Sequence, residues 1–159
     1  FFRNGFYFLV TGSFFDSRYL GSDGIERNTA YNTRYVANFL GGKEFSVGDN
    51  NVIAVDLKVS TTGGRYLTPI DLEASAAAGR TVYDESQAYT QLQDPYFRMD
   101  LRLSYRMELG SSTMEFALDL QNVTNNQNVF TQTYNPRTGG ITTEYQQGFF
   151  PVPTFRWTF

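Results

Sequence analysis

From residue 97 to 109 every second position is apolar: Phe97, Met99, Leu101, Leu103, Tyr105, Met107 and Leu109 alternate with Arg98, Asp100, Arg102, Ser104, Arg106 and Glu108. Successive side chains of a strand point to opposite faces, so this period of two predicts a long strand with one apolar and one polar face. The next segment repeats the plan, with Met114, Phe116, Leu118 and Leu120 against Glu115, Ala117, Asp119 and Gln121. Only Gly110-Ser111-Ser112-Thr113 separates the two, which predicts a tight hairpin. An earlier pair has the same form: a strand over residues 32–47, the turn Gly48-Asp49-Asn50-Asn51, and a strand in which Ile53, Val55, Leu57 and Val59 alternate with Ala54, Asp56, Lys58 and Ser60. Asn4-Gly5 predicts a third turn, between the stub Phe1-Phe2 and a strand over residues 6–19, and a last strand runs over residues 149–159.

The connections fall into two classes that alternate strictly. The tight turns lie at 4–5, 48–51 and 110–113, and the long connections at 20–30, 63–96 and 123–148. An up-and-down antiparallel meander then carries every short turn on one rim and every long loop on the other, the asymmetry of an outer-membrane barrel. About six strands and a stub cannot close such a barrel, since single-chain barrels start at ~8 strands. The membrane reading therefore expects further strands upstream. A soluble antiparallel sheet with one face on a core alternates in the same way and stays open as an alternative.

Composition narrows the function classes. Cys and His are both absent, which removes disulfides, thiolate nucleophiles, imidazole bases and the zinc sites that need them, and no enzyme is expected. A net charge of -3 from thirteen basic and sixteen acidic residues leaves no surplus for a phosphate backbone, so nucleic acid is not expected as a partner. Nor is any cofactor or metal. The mean hydropathy of -0.37 and the lack of a long apolar run exclude a membrane helix, yet a barrel reads the same because only alternate residues face lipid. Phe1-Phe2-Arg3-Asn4-Gly5 is not a signal peptide; an export signal is expected upstream. Tyr and Phe gather where strands meet loops, at Tyr19, Tyr31, Tyr35, Tyr66, Tyr96 and Phe97 on one side and Phe2, Phe6 and Phe45 on the other. Girdles at two membrane interfaces would produce this, as would plain strand propensity.

The terminus Phe155-Arg156-Trp157-Thr158-Phe159 resembles the C-terminal signature of outer-membrane barrels that the barrel-assembly machinery reads. Gly63-Gly64-Arg65-Tyr66-Leu67-Thr68-Pro69-Ile70-Asp71, Tyr83-Asp84-Glu85-Ser86-Gln87-Ala88-Tyr89 and Tyr96-Phe97-Arg98-Met99-Asp100-Leu101-Arg102 resemble the last third of TonB-dependent receptors that carry an N-terminal carboxypeptidase-regulatory-like domain. So do Tyr31-Asn32-Thr33-Arg34-Tyr35 through Gly41-Gly42-Lys43-Glu44-Phe45, and Gln121-Asn122-Val123-Thr124-Asn125. No TonB box, plug domain or carboxypeptidase-like module is visible in these residues. The resemblance implies that residues 1–159 are the C-terminal part, about the last six strands, of a roughly 22-stranded antiparallel transmembrane β-barrel. It implies TonB-coupled import of a scarce nutrient, with long loops extracellular and the C-terminus periplasmic. Implied partners are outer-membrane lipid, the protein's own plug domain, the TonB complex acting through upstream sequence and the barrel-assembly machinery, with room for a surface substrate-binding lipoprotein.

On this reading Asp56, Lys58, Arg98, Asp100, Arg102, Arg106, Glu108, Glu115 and Asp119 face the lumen and plug, and Phe155, Trp157 and Phe159 form the assembly signal. Arg65, Tyr66, Tyr83, Tyr89, Tyr134 and Arg137 are the loop candidates for ligand contact. A passive porin or adhesin barrel, or a soluble β-sandwich carbohydrate-binding module, are the alternatives. The loop acids Asp71, Glu73, Asp84, Glu85 and Asp94 match no calcium-loop spacing and are read as solvated, while Asn122-Val123-Thr124 is read as a strand end rather than a glycosylation site. Asn135-Pro136 and Gly139-Gly140 are read as turn chemistry.

Overall fold

The computed structural model of the chain describes residues 2–159. In chain order its elements are β1 (Phe2–Arg3), β2 (Phe6–Phe14), β3 (Arg18–Leu20), β4 (Glu26–Asn28), β5 (Tyr35–Val47), β6 (Asn51–Thr62), β7 (Tyr66–Leu67), α1 (Leu72–Ala78), a short 3-10 turn (Glu85–Gln87), β8 (Gln91–Leu92), β9 (Tyr96–Glu108), β10 (Thr113–Gln121), β11 (Val129–Asn135), β12 (Gly140–Tyr145) and β13 (Phe150–Thr158). One antiparallel sheet of order β1-β2-β5-β6-β9-β10-β13 dominates, and three two-stranded sheets, β3-β4, β7-β8 and β11-β12, lie in the connections. The protein is all-β, and each main strand pairs with the main strands that precede and follow it in sequence. The sheet is open, ending on β1 and β13.

The predicted hairpin turns form where expected. Asn4 (φ 53°) and Gly5 (φ 76°) both take positive φ, as a primed two-residue turn requires, and β1 and β2 pair across it with Arg3 opposite Phe6. The β5–β6 and β9–β10 turns each hold a positive-φ glycine, Gly48 and Gly110. These three turns share one rim. The connections β2–β5, β6–β9 and β10–β13 share the other and fold into the small sheets, α1 and the 3-10 turn.

Two boundaries differ from expectation. The strand expected over 6–19 stops at Phe14, and the one expected over 32–47 starts at Tyr35. Asn32 is the cause. It is fully buried, accepts from the Ser17 backbone N–H (3.0 Å) and donates to Asp16 (2.7 Å) and Asn28 (2.8 Å), so the chain turns into the β3–β4 hairpin around it. Arg34 then enters β5 from the left-handed region at φ 65°.

Pairing fixes the faces. The row Arg3, Phe6, Lys43, Val55, Leu103, Leu118, Pro153 lies on one face, and the row Tyr7, Gly42, Asp56, Arg102, Asp119, Val152 on the other. The first face carries the apolar phase of β9 and β10, together with Phe8, Val10, Phe39, Phe45, Ile53, Phe116, Phe155 and Trp157, all exposed. No second layer lies on it among the described residues. The buried apolar residues among all those described are Ala54, Tyr66, Ala88, Ala117 and Tyr134; no Leu, Ile, Val, Phe or Met is among them. A water-soluble domain of this size buries such side chains in a core.

Candidate functional site

The polar face of the sheet gathers the charged residues that alternation assigned to one side. Arg102 forks between Asp119 (2.6 Å) and Glu115 (2.8 Å), and Arg98 pairs with Asp100 (2.7 Å) while reaching Gln121 (3.1 Å). Arg106 lies 3.5 Å from Glu108, whose other oxygen accepts from the Thr113 hydroxyl at 2.6 Å. All nine lumen candidates therefore share this face, and charge-assisted bonds of this geometry fix their side chains in a plane of strands. Lys58 differs: it is exposed and has no ion pair among the described residues, although Asp100 is its cross-strand neighbour.

Four participants were not assigned from sequence. Tyr7 donates its hydroxyl to Asp56, Arg156 approaches Glu115 at 3.7 Å, and Leu9 and Leu40 form an exposed apolar pair beside the charges. Tyr7 escaped because β2 has large apolar residues on both faces, Phe8 and Val10 on one and Leu9 on the other, so its phase is unreadable without the partner strand. A hollow of about 300 Å³ on this face is lined by Tyr7, Leu40, Asp56, Lys58, Arg102 and Asp119, among others.

A second region forms on the long-loop rim. Residues 63–95 are built on two caps: the Asp71 carboxylate accepts from the Ala74 N–H (2.9 Å) to start α1, and Asp84 accepts from Ser86 N–H (3.0 Å) to start the 3-10 turn. Hydrogen bonds to Asp84, first from Ser86 and then from Gln87, hold its carboxyl below the usual range. Ser75, fully buried, accepts from Val82 N–H at 2.9 Å and locks α1 to the returning chain. The β11–β12 hairpin is tied on by Tyr134 N–H to Thr81 Oγ1 (2.9 Å) and by Arg65 to the Phe130 carbonyl (3.4 Å). Its turn is the Pro136 to Gly139 chemistry expected, with Gly139 at φ 69°.

Between these pieces lies a cleft of about 390 Å³ lined by Arg65, Tyr83, Glu85, Tyr89, Gln91 and Gln132, with Phe130 and Ile141 adding apolar wall. Tyr89 is held at φ 57°, its N–H on Thr68 Oγ1 (3.3 Å) and its ring edge-to-face with Tyr19 at 6.2 Å. Arg65 also lines a neighbouring cleft of about 280 Å³ with Gln93, Asp94 and Gln127. Donors, acceptors and one charge of each sign, set beside aromatic faces, suit a polar organic ligand.

Of the six loop candidates, Arg65, Tyr83 and Tyr89 converge on this cleft. Tyr66 and Tyr134 do not present their rings: they are 8% and 9% exposed. Tyr66 accepts from Arg34 Nη2 at 2.6 Å with the guanidinium 5.7 Å from its ring centroid, so it is framework. Arg137 sits in the β11–β12 turn, its backbone N–H on Asn135 Oδ1 (3.0 Å), outside the cleft lining. Of the aromatic end, Phe155 on β13 packs at 4.9 Å, tilted by 37°, against Phe116 of β10, and Trp157 meets Phe159 edge-on at 6.2 Å.

Two asparagines carry the third loop. Asn122, 1% exposed and at φ 50°, ends β10 and donates to the Asn126 (3.0 Å) and Gln147 (3.2 Å) carbonyls while its own N–H reaches Asp100 (2.8 Å). Asn128 grips the Phe97 backbone on both sides, accepting from its N–H (3.0 Å) and donating to its carbonyl (2.8 Å). The strand-end reading of 122–124 holds. Comparison of the chain with protein-family models, curated proteins and solved structures returns no match.

Proposed function

We propose that this chain is a segment of the wall of an outer-membrane β-barrel of the TonB-dependent receptor kind, and that the whole protein imports a scarce polar nutrient. One observation carries the reading: a sheet of long strands leaves one face apolar except at Arg3 and Lys43, with no second layer over it among the described residues, while ion pairs fill the other. Water tolerates no such face, because contiguous apolar patches on soluble monomers stay within a few hundred Å². Lipid covers it without a second layer. A soluble β-sandwich module would need another sheet over Phe39, Ile53, Leu103 and Leu118.

The wall role fits the rest. The edges of β1 and β13 require further strands, since lipid offers no partner for open backbone groups. The charged face, with Lys58 outside any ion pair among the described residues and Leu9 and Leu40 exposed, suits contact with a plug domain in the lumen. The long-loop rim lies outside the cell in this arrangement, and the cleft around Arg65, Tyr83 and Tyr89 receives the nutrient first.

The test uses the full-length protein with an epitope inserted near Ala77 in α1. Detection on intact cells, in an outer-membrane fraction that needs detergent to dissolve, is expected. A protein that stays in buffer, or a tag reached only after permeabilisation, refutes the wall or its topology. Loss of uptake on removal of the TonB complex is expected as well; undiminished uptake would make the barrel a passive porin.

A further inference from the structure

The apolar face carries two charges. From β1 to β13 its described positions are hydrocarbon, aromatic, Gly, Pro, Asn or Thr except for Arg3 and Lys43. They occupy one row, separated by Phe6: Arg3 pairs with Phe6, and Phe6 with Lys43. Neither has a carboxylate partner among the described residues. The neighbouring Glu44 belongs to the opposite phase of β5, opposite Ala54.

The Lys43 ammonium lies 4.2 Å from the Phe6 ring centroid and 4.7 Å from that of Phe45. The Phe45 ring is on the short-turn side of Lys43, and Phe6 stands beside Lys43 as its cross-strand partner. Phe45 is two residues nearer the β5–β6 turn, and Phe6 directly follows the Asn4-Gly5 turn. The side chain therefore leans toward the short-turn rim, as a lysine does when its stem lies along apolar surface and its head seeks the interface. Two aromatic faces hold it there through their quadrupoles.

A lysine on a lipid-facing strand costs ~2 to 4 kcal/mol at the midplane and little near the interface, so this one is tolerable only where headgroups reach it. We infer that Lys43, with Arg3 beside it and Phe6 and Phe45 as its walls, binds the phosphate of an anionic phospholipid in the leaflet on the short-turn side. The inference rests on the wall reading of the sheet. The rings pack against the first acyl carbons, the ammonium meets the phosphate oxygens, and Arg3, exposed on the same row, supplies a second positive charge at the rim. A net negative headgroup offers its phosphate charge undiminished to the two cations, whereas a zwitterionic headgroup brings a cation of its own beside it.

The experiment places full-length protein in nanodiscs of equal phosphatidylglycerol and phosphatidylcholine and counts retained lipids by native mass spectrometry. Heat-modifiability confirms that each variant is folded. The native protein is expected to retain phosphatidylglycerol over phosphatidylcholine. Lys43→Gln should cut that preference by about five-fold, the order expected of one basic residue at an anionic surface. Lys43→Arg should restore it. Folded Lys43→Gln protein with an unchanged lipid preference overturns the site and leaves the wall reading standing. Protein that never enters the membrane fraction overturns the wall reading instead.

Discussion

Tyr7 and Asp56 meet across a strand that separates them: the Tyr7 hydroxyl on β2 donates to the Asp56 carboxylate on β6, passing over Gly42 of β5. The bond exists because Gly42 has no side chain. A Cβ there would fall 2.6 Å from the Tyr7 hydroxyl and against the Asp56 carboxylate. Gly42→Ala should therefore displace the pair and cost about 1 to 3 kcal/mol, read as a lower urea midpoint of the heat-modifiable form. Gly12→Ala, on the same sheet with nothing within 4 Å, is the matched control and should leave the midpoint unchanged. Equal effects at both positions would mean that Gly42 is not a window for the bond.

The assignment of faces is testable with one chemical change made twice. Leu118 lies on the apolar face opposite Pro153, and Val152 on the polar face opposite Asp119. Leu118→Arg should lower folded, membrane-inserted protein strongly, by the ~2 to 4 kcal/mol of a lipid-facing arginine, whereas Val152→Arg gains an acidic neighbour and should assemble normally. The reverse pattern would exchange lumen and lipid.

Arg102 holds two carboxylates with one guanidinium, and its side chain is 31% exposed. Arg102→Met leaves Asp119 and Glu115 without it and should cost on the order of 1 to 3 kcal/mol, less than a fully buried pair because water reaches the site. Arg102→Lys keeps the charge but loses the fork, so it should recover only part of the difference. Urea midpoints of the two variants decide between charge and geometry.

In the β3–β4 hairpin the Arg27 guanidinium, bonded to Asp23 at 2.7 Å, holds that carboxyl down at about 2. Its folded value is thus depressed, so the pair steadies the hairpin fully above about pH 4, the ordinary carboxylate range, and the effect is lost as pH falls toward 2. Asp23→Asn should speed hydrogen exchange of residues 18–28 at pH 5, and by pH 2 most of that difference should be gone. A difference that persists undiminished at the lower pH would contradict the pairing.

Much of the sheet was legible before any coordinates. Residues 97–109 declare their phase because polar and apolar side chains alternate without interruption, 114–121 repeat it with Ala117 alone out of type, and the short turns declare themselves through Asn4-Gly5, Gly48 and Gly110. The sheet faces of β2 and β5 were not legible: Leu9, Leu40 and the pair Gly41-Gly42 blur the period, so Lys43 and Tyr7 acquire a face only from the cross-strand partners. The cleft was half legible. Tyr83, Tyr89 and Arg65 are the residue types that line such sites, but Tyr66 and Tyr134 are the same types, and the partners that tie them into the framework, Arg34 on the Tyr66 hydroxyl and Thr81 on the Tyr134 backbone, are distant in sequence. Asn32 read as the start of a strand, Asn122 as a strand end and Asn128 as part of a long connection, and none of them announced that it replaces backbone pairing that the chain lacks.

A slip of β9 against β10 by one residue would turn every side chain over and expel charge into the apolar side. A slip by two would not. Leu101, Leu103 and Met107 would meet Leu118, Phe116 or Leu120 as comfortably as they meet their present neighbours, and hydrocarbon would register no error. The polar row would: Arg102 would stand opposite Ala117 or Gln121 instead of Asp119. The ion pairs thus serve as index marks on the strands, reporting alignment to the growing sheet where grease is indifferent, and their worth lies in the mispaired sheets they prevent more than in the stability they add.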